Sequence, residues 1–145
     1  MSDIVVKRLT KEDALAAAQI EEKIFPHGFK SDDFLRQTDD GSLVLAAKKG
    51  DTLVGYISIS IVLDEASVNT IAVREDFRRQ GTASKLLESA IDELESCCAF
   101  LTLEVRRQNV AAISLYERFG FRKVGERRGY YSDPDDDALL MTRFF

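Results

Sequence analysis

The segment from Ala66 to Val105 constrains the fold most. An apolar run, Ala66–Val73, is followed by a charged stretch. Ala83, Leu86, Leu87, Ala90, Ile91 and Leu94 then recur at three- and four-residue spacing, and a second apolar run, Phe100–Val105, follows. The spacing predicts an amphipathic helix from about Gly81 to Ser96, between two strands. Strand alternating with helix calls for a partly parallel sheet covered by helices.

The flanking segments complete the pattern. Ile4–Arg8 reads as a short strand. Thr10 reads as a helix cap, with Asp13 as a weaker capping-box partner and Leu9 and Ala14 as a hydrophobic staple. Leu15, Ala18, Ile20 and Ile24 give that helix its expected apolar side. Pro26 and Gly28 interrupt regular structure, and Ser31 is expected to cap a second short helix carrying Phe34 and Leu35. Leu43–Lys48 and Leu53–Val62, joined at Gly50, read as a hairpin, with Gly55 marking a bend or bulge. Asn109 is expected to cap a helix with Ile113, Tyr116 and Phe119 on its apolar side, ended by Gly120. Phe121–Val124 and Ala138–Phe144 read as a closing strand pair around an acidic loop, Asp133–Asp137. The predicted class is α/β: a mixed, partly parallel twisted sheet flanked by helices, with residues 1–145 as one domain.

Composition removes several classes. Hydrophobic residues make up 45% and charged residues 31% of the 145, and the net charge is −5. Such a balance fits a folded core and argues against a general nucleic-acid coat, which needs a basic surface. Cys97 and Cys98 are adjacent and are the only cysteines, so they form no disulfide framework and fit a reducing compartment. Neither a leader peptide nor a membrane span is expected, and the expected location is cytoplasmic. His27 is the only histidine; no nucleophile elbow supports a triad around it, and its spacing to the cysteines is poor for zinc. No metal is expected.

The sharpest local feature is Arg78-Arg79-Gln80-Gly81-Thr82-Ala83, between a strand and a helix. Small residues there let a ligand approach the backbone. The free N–H groups of the first helical turn and the helix dipole then attract an anion. The other reading is a charged turn in which glycine only starts the helix. Neither GxGxxG nor GxxxxGK[ST] is present, which counts against dinucleotide and nucleoside-triphosphate loops.

This run resembles the Arg/Gln-x-x-Gly-x-Gly/Ala motif of the GCN5-related N-acetyltransferase superfamily. Arg78, Gly81 and Ala83 stand at its fixed positions. Val62–Ala66, Asn69–Val73, Leu103–Arg106, Asn109–Phe121 and Arg127–Tyr131 resemble the RimI type, bacterial enzymes that acetylate a ribosomal-protein alanine. The likeness runs from Leu43 to the end. It implies acetyl-CoA as cofactor, with the pyrophosphate gripped by Arg78, Arg79, Gln80, Gly81, Thr82 and Ala83. It also implies that the Asn69–Val73 strand splays from its neighbour, so that Ile71, Ala72 and Val73 meet the pantetheine arm. Asn109 and Tyr116 would complete the cofactor contacts.

Acetyl transfer to an amine needs a neutral amine and a protonated leaving group. An α-amine of pKa near 7.8 is roughly 30% neutral at pH 7.4, whereas a lysine near 10.4 is neutral about once in a thousand. Glu104, interrupting an apolar strand near its C-terminal end, is the candidate base; its other reading is an edge carboxylate paired with Arg106 or a neighbour. Tyr116 is the candidate acid; by periodicity alone it is a core tyrosine with its hydroxyl at the rim. The resemblance favours the catalytic reading of both.

The resemblance further implies a protein or peptide N-terminus as acceptor, the N-terminal alanine of a basic small-subunit ribosomal protein. The acidic loop would suit such a partner, and equally reads as a solvated hairpin. Asp64 and Glu65 would add charge at the same mouth, and Tyr130 and Tyr131 would wall the channel. One departure concerns the Pro-Trp-Ser segment usual in this type. Here the stretch is Phe25-Pro26-His27-Gly28-Phe29-Lys30-Ser31, the chain has no tryptophan, and Phe29 is expected in its place. A lysine side chain, a small amine or a non-catalytic acyl-CoA sensor are the alternatives. No nucleic-acid or membrane partner is expected, and the chain is expected to be a monomer or weak dimer.

Overall fold

The computed structural model describes residues 3–145; Met1 and Ser2, the start of the expected leaderless N-terminus, lie outside the described residues. The elements are β1 (Ile4–Arg8), α1 (Ala14–Ile24), α2 (Ser31–Gln37), β2 (Leu43–Lys49), β3 (Thr52–Val62), β4 (Glu65–Val73), α3 (Thr82–Leu94), β5 (Phe100–Arg106), α4 (Val110–Arg118), β6 (Arg122–Tyr131) and β7 (Asp136–Phe144). The strands form one seven-stranded sheet in the order β1-β2-β3-β4-β5-β7-β6. Among the described residues only β4 and β5 pair in parallel; every other neighbouring pair is antiparallel.

Two apolar layers cover the sheet. Leu86, Leu87, Ala90, Ile91 and Leu94 of α3 and Tyr116 of α4 pack with Leu101, Leu103 and Val105 on one face. Ala14, Ala17 and Ile20 of α1 and Phe34 of α2 pack with Val44, Tyr56 and Ala72 on the other. Phe34 is fully buried, with edge-on ring contacts to Tyr56 at 5.3 Å and to Phe29 at 6.2 Å.

Local chemistry sets the helix starts. Asp13 accepts from the backbone N–H of Thr10 at 3.2 Å and its hydroxyl at 2.9 Å, forming the expected capping box around a 3-10 turn at Lys11–Asp13. Lys48 Nζ lies 2.8 Å from the same carboxylate. Ser31 does not cap α2: Lys30 does, and its N–H donates to Asp33 at 2.8 Å. The apolar side of α1 is also rotated from expectation. Leu15 is 62% exposed, while Ala14, Ala17, Ile20 and Glu21 face inward. Small alanines let the helix sit close to the sheet, and that proximity outweighs burial of one leucine.

Gly55 sits at a bulge, where Ala47 pairs with Gly55 and Lys48 with Leu53. A Cβ there would stand 2.8 Å from the Ala72 carbonyl, so only glycine permits this approach of β4. Strand β6 is longer than its apolar pattern suggested. It is an exposed edge strand held by its ladder to β7, so its extent leaves no hydrophobic alternation in the sequence. Asp136 and Asp137 accordingly belong to β7, and the acidic loop shrinks to a tight connection.

Candidate active site

The sheet opens at its only parallel pair. Register partners join β4 to β5 only from Glu65–Ser67 to Phe100–Thr102. Just beyond, Asn69 is an extra residue opposite β3, where Ile59 pairs with Val68 and Ser58 with Thr70. Asn69 Nδ2 donates to Ser58 Oγ at 3.2 Å, and Ser60 Oγ donates to Asn69 Oδ1 at 3.0 Å. A bulge bends its strand, and here it coincides with the divergence of β4 from β5. The expected splay is thereby present. The Arg74 N–H donates to Val54 of β3 at 2.8 Å. Strand alternation therefore turns the backbone polar groups of Ile71 and Val73 toward the open cleft.

The cleft ends at the start of α3. Arg78 Nε donates to the Val73 carbonyl at 3.2 Å and braces this corner. Arg79 and Gly81 both have positive φ, 64° and 76°. The first intrahelical bond runs from Lys85 N–H to the Gly81 carbonyl at 3.0 Å. The N–H groups of Thr82, Ala83 and Ser84 thus have no intrahelical acceptor. Apart from Gly81 and its two chain neighbours, no atom lies within 4 Å of a Cβ built on Gly81, so open space faces the turn. Thr82 Oγ1 is buried without a hydrogen-bond partner. Free amides, two nearby guanidinium groups and an orphaned hydroxyl suit a pyrophosphate. These residues fit the implied cofactor.

Glu104 and Tyr116 lie on opposite faces of the sheet. Leu103 and Val105 point into the α3 layer, so Glu104 between them points to the α1–α2 side. Its exposed carboxylate lies 3.7 Å from Arg127 Nε rather than pairing with Arg106. The hydrogen bond to Glu104, and then its charge, push the Tyr130 phenol upward. Tyr131 is pushed up to about 12, first by burial and then by Glu104. Tyr130 and Tyr131 contact each other edge-on at 5.0 Å. Tyr116 is buried beside Phe121 on the α3 face, 5.7 Å between ring centres. Burial, then the neighbouring Tyr131, raises it to about 12, which keeps its proton in place at physiological pH. Asn109 caps α4, its Oδ1 accepting from Ala112 N–H at 3.2 Å.

Other expected residues fall elsewhere. Asp64 lies in the β3–β4 turn and Glu65 starts β4, both at the closed end of the cleft, where Ala99 N–H donates to the Asp64 carbonyl at 2.7 Å. The structure does not bring them together with Glu104. Phe29 turns inward onto Phe34. Of the acidic loop, Asp136 accepts from Gln108 N–H at 3.1 Å and Asp137 from Gly129 N–H at 2.9 Å. Asp133 faces the α1–α2 loop, 4.0 Å from His27 Nε2.

Three residues escaped the sequence reading. Arg127 reaches Glu104. Arg106 stacks on Tyr131 at 4.4 Å and donates to the carbonyls of Pro134 at 2.7 Å and Ser132 at 3.1 Å, fixing the β6–β7 turn. Glu21 is a buried carboxylate on the inner side of α1. The one available signal was its place in the stripe Ala14, Ala17, Ile20, Glu21, which only the true helix phase reveals.

The family model for the acetyltransferase (GNAT) family matches residues 12–121. The chain belongs to that family, and it is an acetyltransferase. A Salmonella typhimurium relative named [Ribosomal protein bS18]-alanine N-acetyltransferase is 38% identical over 137 residues, covering 92% of this chain and 93% of the relative. The crystal structure of the ribosomal-protein-S18-alanine N-acetyltransferase from Escherichia coli superposes with a TM-score of 0.89 at 35% identity, covering 97% of this chain and 93% of that one. Arabidopsis thaliana NAA60 in complex with acetyl-CoA shares the fold, with a TM-score of 0.87 at 24% identity over 98% of this chain and 99% of that one.

Proposed function

We propose that this chain transfers an acetyl group from acetyl-CoA to the α-amine of a protein N-terminus, the terminal alanine of a small-subunit ribosomal protein. The observation that carries the reading is the cleft between β4 and β5. It runs from the amide-lined turn at Gly81 along the stretch of β5 that carries Glu104, and Tyr116 belongs to the apolar layer on the other face of the sheet. The activity named for the Salmonella and Escherichia relatives supports the acceptor.

Acetyl-CoA supplies the activated acetyl thioester. Ile71 and Val73 offer backbone groups to an extended chain in the cleft, as an added strand would use them. The amides of the Arg78–Ala83 turn hold an anion, and Asn109 contributes at the α4 end. The acceptor enters on the Glu104 face, between the α1–α2 loop and the β6–β7 turn, with Tyr130 and Tyr131 along its path. Glu104 takes the amine proton once Arg127 yields its place. Tyr116 holds the proton at Oη that a departing sulfur requires. An α-amine starts about 3.5 kcal/mol closer to its neutral form than a lysine does, so one carboxylate suffices. Residues 1–145 act as one domain, in the cytoplasm, as a monomer or weak dimer. No helix of the described residues is long and apolar enough to cross a membrane.

The test is acetylation of two basic peptides by the purified protein. One starts with a free alanine; the other is blocked at its N-terminus and carries lysines. Mass spectrometry locates the acetyl group. Modification of the free α-amine alone supports the reading. Modification of the blocked peptide moves the acceptor to lysine, and no product from either moves it to a small amine or to acyl-CoA sensing.

A further inference from the structure

Glu21 is 2% exposed, and no ion pair involves its carboxylate among the described residues. Three neutral donors converge on its carboxylate. Tyr56 Oη donates at 2.6 Å from β3 and Thr70 Oγ1 at 2.8 Å from β4, both to Oε1. The backbone N–H of Phe29 donates to Oε2 at 3.1 Å from the α1–α2 loop. A buried carboxylate without a counterion costs stability unless every lone pair is well used. The three donors come from different segments, and two of them have a functional neighbour. Thr70 directly follows the Asn69 bulge and precedes Ile71, whose backbone faces the cleft. Phe29 belongs to the loop whose His27 meets Asp133 of the β6–β7 turn across the acceptor side. The loop comes so close that a Cβ on Gly28 would stand 2.4 Å from Glu21 Cγ.

We propose that Glu21 is a positioning residue that fixes the acceptor-side loop Phe25–Lys30 to the splayed strand β4, setting how the amine is held and leaving acetyl-CoA binding alone. This rests on the acceptor entering between the α1–α2 loop and the β6–β7 turn. The carboxylate acts as a three-way tie. Moving the loop displaces the wall that meets the amine, whereas none of the three bonds to the carboxylate comes from the turn at Gly81.

Two variants loosen the tie by different routes. Glu21→Ala removes the acceptor. Gly28→Ala leaves the carboxylate in place and pushes the loop away from it, so it tests the idea even if E21A folds poorly. Glu21→Gln restores the tie: its carbonyl accepts from Phe29, while its amide donates to the Tyr56 and Thr70 hydroxyls, which rotate to accept. Steady-state kinetics are run with whichever peptide the wild type acetylates. The expected result for G28A is a peptide KM raised at least fivefold with the acetyl-CoA KM within twofold; E21Q keeps both within twofold. A peptide KM below fivefold in folded G28A, an equal rise in both KM values, or an E21Q as impaired as G28A overturns the proposal. Amide hydrogen exchange at Phe29 needs no acceptor. At least tenfold faster exchange in G28A supports the tie even where the wild type acetylates neither peptide, an outcome that sinks the N-terminal reading alone. Unchanged exchange overturns the tie.

Discussion

Replacing Glu104 with glutamine tests the assigned base with little disturbance of the fold. Glutamine keeps the shape of the side chain and removes its charge. The structural cost is small. The lost partner is Arg127 at 3.7 Å, with side chains 56% and 32% exposed for Arg127 and Glu104. An exposed pair of this kind contributes about 0–1 kcal/mol. For a chain of this size that lowers Tm by roughly 4 °C at most. The chemical cost is larger. A positioned general base contributes about 10²–10⁴ in rate, or roughly 2.7–5.5 kcal/mol of barrier. The proposed acetyl-CoA turn at Gly81 starts α3, whereas Glu104 stands on β5, so cofactor affinity is expected to stay within about twofold. The assay follows thiol release from acetyl-CoA with an alanine-first peptide, beside calorimetric titration of acetyl-CoA and a melting curve. A loss of kcat/KM of at least about a hundredfold is expected with unchanged affinity. A kcat/KM within threefold of wild type, or parallel loss of cofactor affinity, refutes Glu104 as the base.

Three other perturbations follow from the same geometry. Tyr116→Phe keeps the buried ring but removes the proton, so kcat is expected to fall about a hundredfold with Tm nearly unchanged; an unaffected kcat refutes the acid. The same variant tests the burial of the phenol. Its pKa rises from 10 unfolded to about 12 folded, so its contribution is complete below pH 10 and is lost as the pH climbs through 12. Wild type should lose about 3 kcal/mol more than Y116F over that window, read by denaturant titration. Gly81→Ala puts a side chain at φ 76°, where an L-residue costs about 1–2 kcal/mol. Acetyl-CoA affinity should drop about tenfold, and unchanged affinity by calorimetry removes the phosphate turn. Asp13 is held below the usual carboxylate range: burial opposes this, and the bonds from Lys48 and Thr10 together outweigh burial. Its contribution is therefore present above the unfolded value of 3.8 and is lost as the pH falls through the folded one. Asp13→Asn should flatten the acid limb of the stability curve; an identical limb refutes the assignment.

Much of this protein was legible in its sequence because the signals were local. The stripe Ala83 to Leu94 fixed the phase of α3, since i, i+3 and i+4 residues share a face whatever surrounds them. The Arg78–Ala83 turn declared its backbone through Gly81, because only glycine takes that φ without strain. Glu104 announced itself as a charge inside an apolar strand. Alanine and leucine in α1 were ambiguous by comparison: both are apolar, and the sheet's proximity chose the alanines. Strand β6 carried no alternation, since an edge strand is held by backbone bonds to one neighbour rather than by burial.

What only the tertiary structure decided is where distant segments meet. The sequence determined the element order, the helix-start turn and the residue types able to move a proton. Its alternation contained no sign that β4 leaves β5 after Ser67, a splay that only the family resemblance implied, because the Asn69 bulge depends on register with β3. It could not place Glu104 and Tyr116 on opposite faces of the sheet, or keep Asp64 and Glu65 at the closed end of the β4–β5 opening. Nor could it gather Tyr56, Thr70 and Phe29 around Glu21, residues up to 49 positions apart. Periodicity reports which side of an element is buried. Only packing between elements fixes which side chains share a site, because that depends on the crossing of strands far apart in the chain.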